Sequence, residues 1–311
     1  MNPAAGYARP VEFARLLFPD FALIVLGCVL CRFTPLDRPL WDQVERLVYH
    51  LLFPVLLFQS IVRTPIDVGE AGRLMAAGLA LGVSGIAMAY ALPYLPGLRG
   101  RIDHREHAGA AQVGFRFNSF VALALSERLG GAQGLQLIAV LIGVCVPLFN
   151  VGAVWPMARH GKTHFGAALV RNPLIIATGL GLAANLLGLR IPAWLEPSVA
   201  RIGGSSIALG LMAAGAGLQL SSLAQSRALT VGVLAVRHLA LPLVAWGLVR
   251  LFSLDASQAL VLLLFSAMPT ASSAYLLASR MGYNGAYVAG LVTLSTILGP
   301  LSLTLALGIL R

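Results

Sequence analysis

The sequence predicts an all-α membrane protein: ten transmembrane helices forming two inverted five-helix repeats, with broken crossover helices four and nine. Three observations carry that prediction. Of 311 residues, 58% are hydrophobic and only 11% are charged, against about 25% charged in an ordinary soluble domain. The apolar residues gather into blocks long enough to cross a bilayer, and the two halves of the chain match at a constant offset.

A hydrocarbon core about 30 Å thick takes roughly 20 apolar residues per helix. Divided at charges, Pro and Gly, the chain gives spans at 16–33, 44–63, 72–95, 107–127, 133–158, 169–189, 197–219, 228–252, 256–279 and 284–310. The connections are too short to hold a soluble domain. Charges and prolines fill the residues before Leu16, with no apolar signal-peptide core, so the first helix is expected to be a retained span.

The net charge is +10, and Lys162 is the single lysine. The arginines stand singly between apolar runs and form no stripe, which argues against nucleic acid and for loops facing an anionic leaflet. The densest groups, Arg99, Arg101 and Arg105, then Arg159, Lys162 and Arg171, fall on one side of a ten-span arrangement. That side is assigned to the cytoplasm, which leaves both termini outside. Cys28 and Cys31 have no second pair or histidine at metal spacing, so they read as small residues on a helix face and no metal site is expected.

The repeat appears where Leu125-Ser126-Glu127-Arg128-Leu129-Gly130 falls on Leu277-Ala278-Ser279-Arg280-Met281-Gly282. The same offset sets Phe117-Asn118-Ser119 against Pro269-Thr270-Ala271, and Pro147 one residue from the counterpart of Pro300. Five spans per half is an odd number, so the two copies enter the membrane in opposite directions, as in many secondary transporters. This divides the chain into repeats at 1–160 and 161–311.

In the fourth span, polar groups interrupt the apolar run at Arg116, Asn118 and Ser119. In the ninth, Pro269, Thr270, Ser272 and Ser273 do so. Proline removes a helix donor and clashes with the preceding turn, while Asn, Ser and Thr compete for backbone bonds and cap restarted helices. Both spans are therefore expected to break at equivalent depth.

Every Asp and Glu lies near a span end or in a connection, whereas Arg116, Arg237, His238 and His50 lie inside spans with Gln59, Asn118, Asn150, Asn185, Gln219 and Thr270. Cations, amides, hydroxyls and half-helix N-termini favour an anion, and a carboxylate most directly. Arg116 reads equally as a substrate contact or as a tie to loose backbone carbonyls. Arg237 and His238 read first as a tie from the eighth helix to a neighbour, His50 as an interfacial group or a proton relay. Pro54 is expected to bend the second span and turn Gln59 and Ser60 inward. The glycines Gly203, Gly204, Gly210, Gly215 and Gly217 read as close helix packing.

The chain resembles the auxin efflux carrier family, which includes bacterial relatives of the plant PIN-like auxin carriers and of malonate and malate permeases. The likeness rests on Arg116-Phe117-Asn118-Ser119, on Asn172-Pro173-Leu174-Ile175-Ile176, and on Met268-Pro269-Thr270-Ala271 through Ala274-Tyr275. Ala289-Gly290 and Leu294-Ser295-Thr296 extend it. It implies a scaffold of spans 1, 2, 6 and 7 and a transport unit of spans 3, 4, 5, 8, 9 and 10, moving as an elevator and often dimeric through the scaffold. It also implies a substrate carboxylate held at Asn118, with Thr270, Gln59 and Ser60 nearby. Unlike the plant carriers, this chain lacks a long central hydrophilic loop and has no proline in its fourth-span break.

The expected protein is thus a multi-pass inner-membrane carrier of a small organic anion, with no cofactor. The alternatives are a sodium- or proton-coupled symporter of bile-acid-carrier-like architecture and a non-transporting membrane receptor. An intramembrane enzyme would need a nucleophile with a base, a metal-ligand helix or paired aspartates, and the sequence offers no such motif.

Overall fold

The computed structural model describes residues 10–63, 68–158, 173–218, 226–271 and 273–308. In chain order the helices are α1 (Pro10–Phe33), α2 (Arg38–Arg63), α3 (Val68–Ala91), α4 (His104–Ala110), α5 (Ser119–Ala158), α6 (Pro173–Leu186), α7 (Glu196–Ala216), α8 (Arg227–Leu251), α9 (Ala256–Ala267), α10 (Ser273–Arg280) and α11 (Gly285–Gly308). No strand occurs among the described residues. Five stretches, Arg38–Arg63, Gly72–Tyr94, His104–Met157 with its interruptions at 115–118 and Gly131, Arg227–Leu251 and Gly285–Gly308, are long and apolar enough to cross a membrane.

The acids at helix starts have a local purpose. Asp103 accepts the Arg105 and Glu106 amides at 2.9 and 2.8 Å to open α4, and Asp255 accepts those of Ser257 and Gln258 at 2.8 and 3.0 Å to open α9. Each carboxylate satisfies otherwise unpaired amides at the positive end of a helix. Proline shapes two other helices. Pro54 and Pro242 cannot donate, and each ring crowds the carbonyl four residues earlier. In both cases the chain passes through a wider π turn just before the proline, at Val48–Leu52 and Val236–Ala240. The expected bend in the second span takes this form.

The end of the fourth predicted span and the fifth are two helical segments of α5 that meet at a kink at Gly131, which is non-helical at φ 59°. That left-handed conformation favours a residue without a Cβ.

Packing sorts the helices. One set is α1 against α7 and α2 against α6 and α7; the other joins α3 to α5 and α8, and α9 to α5, α8 and α11. The α1–α7 seam is closed by a reciprocal pair of glycines, since a Cβ at Gly27 would overlap the Met212 carbonyl and one at Gly215 the Ile24 carbonyl. Gly203 packs on Leu56 and Gly210 on Phe120, while Gly204 faces open space. Cys28, Cys31 and Cys145 are free thiols.

Candidate functional site: the crossing of two broken helices

The first break begins where α4, prolonged by a tight turn over Ala111–Gly114, leaves helical geometry at Phe115, and it ends where α5 starts at Ser119. The second begins at Met268, whose φ of −59° and ψ of 146° are those imposed on a residue preceding proline, and ends at Ser273. The two breaks bond to one another. The Asn118 amide donates to the Pro269 carbonyl at 2.7 Å, and the Thr270 hydroxyl donates to the Val113 carbonyl at 2.7 Å.

Unwinding frees carbonyls that must find donors in a dry interior. Arg237 of α8, 1% exposed, supplies most of them. Its Nε donates to the Met268 carbonyl at 2.6 Å, Nη2 to Phe265 at 3.0 Å and Nη1 to Phe115 at 3.4 Å. The Ser302 hydroxyl of α11 takes the Ala267 carbonyl at 2.9 Å. The tie read from the sequence therefore runs to the breaks themselves.

The hydroxyl network beside it has one consistent direction. Thr270 gives its proton to Val113, so it accepts from Ser295 Oγ at 3.2 Å. Ser295 Oγ also accepts the Thr270 amide at 2.9 Å, and its own proton being committed, it accepts from His238 Nε2 at 2.9 Å. The imidazole thus carries its proton on Nε2, and its buried Nδ1 has no partner among the described residues.

On the first break, Asn118 Oδ1 caps α5 by accepting the Phe120 and Val121 amides at 3.0 and 3.3 Å. Arg116, partly buried, donates to Gln112 Oε1 at 3.0 Å. Gln112 is fully buried and its amide donates to the Gly109 and Ala274 carbonyls at 3.0 and 3.2 Å, tying the end of α4 to the start of α10. Aromatic rings line the crossing: Phe117 and Phe265 lie 4.4 Å apart, and Phe149 is 5.9 and 6.1 Å from them.

Of the residues singled out in the sequence, Arg116, Asn118, Pro269, Thr270, Arg237 and His238 meet at this crossing, and Ser119 is the first residue of α5. Gln59 is buried between α2 and α7 beside Gly203, its Nε2 without a partner among the described residues. Asn150 is half-buried on α5, and Asn185 ties α6 to the Ile61 carbonyl at 2.6 Å. His50 points elsewhere. It bonds the Arg46 carbonyl at 2.9 Å and lines an apolar cavity of about 720 Å³ with Pro54, Phe58, Pro173 and Arg190. Ser272, Gln219, Arg159, Lys162, Arg171 and Asn172 lie outside the described residues, as do the side chains of Ser60 and Ser273.

Sequence reasoning missed Gln112, Ser295 as a ligand of Thr270, and Ser206, which is fully buried on α7 with its hydroxyl unpartnered among the described residues. The signal for Ser206 was faint: one hydroxyl three residues beyond Gly203, on the same face of α7.

Long apolar helices packed around two broken, mutually bonded helices define a multi-pass membrane protein. Residues 118–307 match the model of the membrane transport protein family, so the chain belongs to that family, the auxin efflux carriers and their PIN-like relatives, and is a membrane transporter. No match was found among curated proteins.

Proposed function

We propose that this transporter is a secondary carrier of a small organic anion, a carboxylate, across the inner membrane. The observation that carries the reading is the division of charge at the crossing. The carbonyl ends of the breaks are taken up by Arg237, Thr270 and Ser302, whereas Asn118 and the partly exposed Arg116 stand at the start of α5. The positive end of that helix, an amide and a guanidinium favour negative charge. Gln59 and Ser206, both buried with polar atoms unpartnered among the described residues, supply further neutral donors on α2 and α7.

The same reading takes ten spans as two inverted repeats. The set α1, α2, α6 and α7 is a scaffold, in a homodimer the shared part, and the remaining helices are a unit that slides past it. The two packing sets support this division.

The test is thermal stabilisation of the purified protein by malonate, malate, succinate, pyruvate or indole-3-acetate. A ligand at one hundred times its Kd stabilises the folded state by about 2.7 kcal/mol. Asn118→Asp is the informative variant, because aspartate keeps the capping oxygen that α5 needs while adding a charge that repels an anion. A carboxylate that stabilises the wild type and not a folded Asn118→Asp supports the site. Equal stabilisation of both, or stabilisation by none of the panel, removes it.

A further inference from the structure

Arg237 does more than satisfy loose carbonyls. The carbonyl end of a helix carries about half a negative charge, so two half-helix ends meeting at one point carry about one. Here α9 ends at Ala267 and the α4 turn ends at Gly114, and a single guanidinium bonds Phe265 and Met268 from the one and Phe115 from the other. One positive charge meets about one negative charge. No carboxylate among the described residues forms an ion pair with Arg237, and its side chain is 1% exposed.

Unwound carbonyls and half-helix C-terminal ends are also what coordinates a sodium ion in transporters with discontinuous helices. We infer that Arg237 is a tethered cation occupying the position a coupling cation would take, so that the crossing is held together without sodium. The consequence for transport, an anion carried independently of sodium, rests on the carboxylate reading above. The occupancy of the carbonyl cluster does not.

Arg237 is in these terms a positioning residue, and its mark is a dependence on small cations that appears only when the guanidinium is removed. The experiment reads the apparent melting temperature of the full chain with no organic anion present. Sodium, N-methyl-D-glucamine and guanidinium are supplied as chlorides at equal, millimolar concentration. The wild type is expected to melt at one temperature in all three. Arg237→Ala is expected to melt several degrees lower, and guanidinium is expected to restore part of that loss while leaving the wild type unmoved.

Should the alanine variant fail to fold or ignore every cation, Arg237→Lys against Arg237→Gln decides. Lysine keeps the charge and glutamine only hydrogen-bond donors, so the lysine variant is expected to be the more stable. A wild type raised by sodium over N-methyl-D-glucamine overturns the inference. So does an alanine variant as stable as the wild type, or a glutamine variant that equals the lysine one. None of these readings needs a substrate, so a failed carboxylate panel leaves the result standing.

Discussion

The two breaks solve one problem in different ways. At the second break, proline forces the chain out of the helix, and the freed groups are tied down from outside: Arg237 on α8, Ser295 and Ser302 on α11. At the first break there is no proline, and the chain closes much of its own gap. Asn118 caps the helix that follows it, and Arg116 bonds Gln112 four residues earlier. The second break is therefore held by side chains of other helices, while at the first the Asn118 cap and the Arg116–Gln112 bond act within the segment, beside the ties that Gln112 makes to Ala274 and Arg237 makes to Phe115. Substitutions at the second should cost stability; substitutions at the first should cost affinity.

After Arg237→Ala, the largest effect is expected from Thr270→Val. It leaves the buried Val113 carbonyl unpaired and removes the acceptor that orients Ser295. A buried polar group without its partner costs about 1–3 kcal/mol, and two are disturbed here, so a clear fall in melting temperature is expected in the absence of any ligand. Ser295→Ala comes next, since it strands the Thr270 amide and His238 Nε2 but leaves the Thr270–Val113 bond that joins the breaks. Either variant melting with the wild type would remove the contrast from its stable side.

Asn118 sharpens the other side. Removing an N-cap with alanine costs about 0.5–2 kcal/mol, so Asn118→Ala confounds fold with binding. Asn118→Asp keeps the melting temperature of the ligand-free protein and should weaken anion binding at least about tenfold, a difference of roughly 1.4 kcal/mol. A loss of stability with affinity unchanged would make this break structural like the other.

These roles were unevenly legible. Both breaks were readable because Pro269 and the Arg116–Ser119 run are local interruptions of apolar sequence, and local chemistry fixes where a helix stops. Arg237 stood out because a charge at membrane depth demands partners, although the sequence could not name carbonyls of Phe115, Phe265 and Met268 as those partners. Gln112 and Ser295 passed unnoticed, since a lone amide or hydroxyl in an apolar helix usually bonds its own backbone, as Thr293 and Thr296 do here to the carbonyls of Ala289 and Val292. The π turn before Pro54 was visible only as a bend and the one before Pro242 was not read at all, because proline dictates relief of a clash without dictating its form. The Gly27–Gly215 pair needed two distant glycines to be placed together.

The smallest effect concerns a contact between α2 and α10. Arg38, at the start of α2, pairs with Asp42 and Glu45 at 2.9 and 3.0 Å and also donates to the Tyr275 hydroxyl of α10, its guanidinium 5.5 Å from the centre of that ring. Tyr275→Phe removes the hydroxyl and keeps both the ring and the ion pairs. At this partly buried position the loss in stability is expected to stay below about 1 kcal/mol. If α2 belongs to a stationary scaffold and α10 to a sliding unit, this bond must break in every transport cycle and lies on the path of motion. Tyr275→Phe should then leave the affinity for the transported anion unchanged and raise its maximal flux into liposomes. Affinity that changes in step with flux would place Tyr275 at the substrate, and flux unchanged in a well-folded variant would show that this contact does not separate during transport.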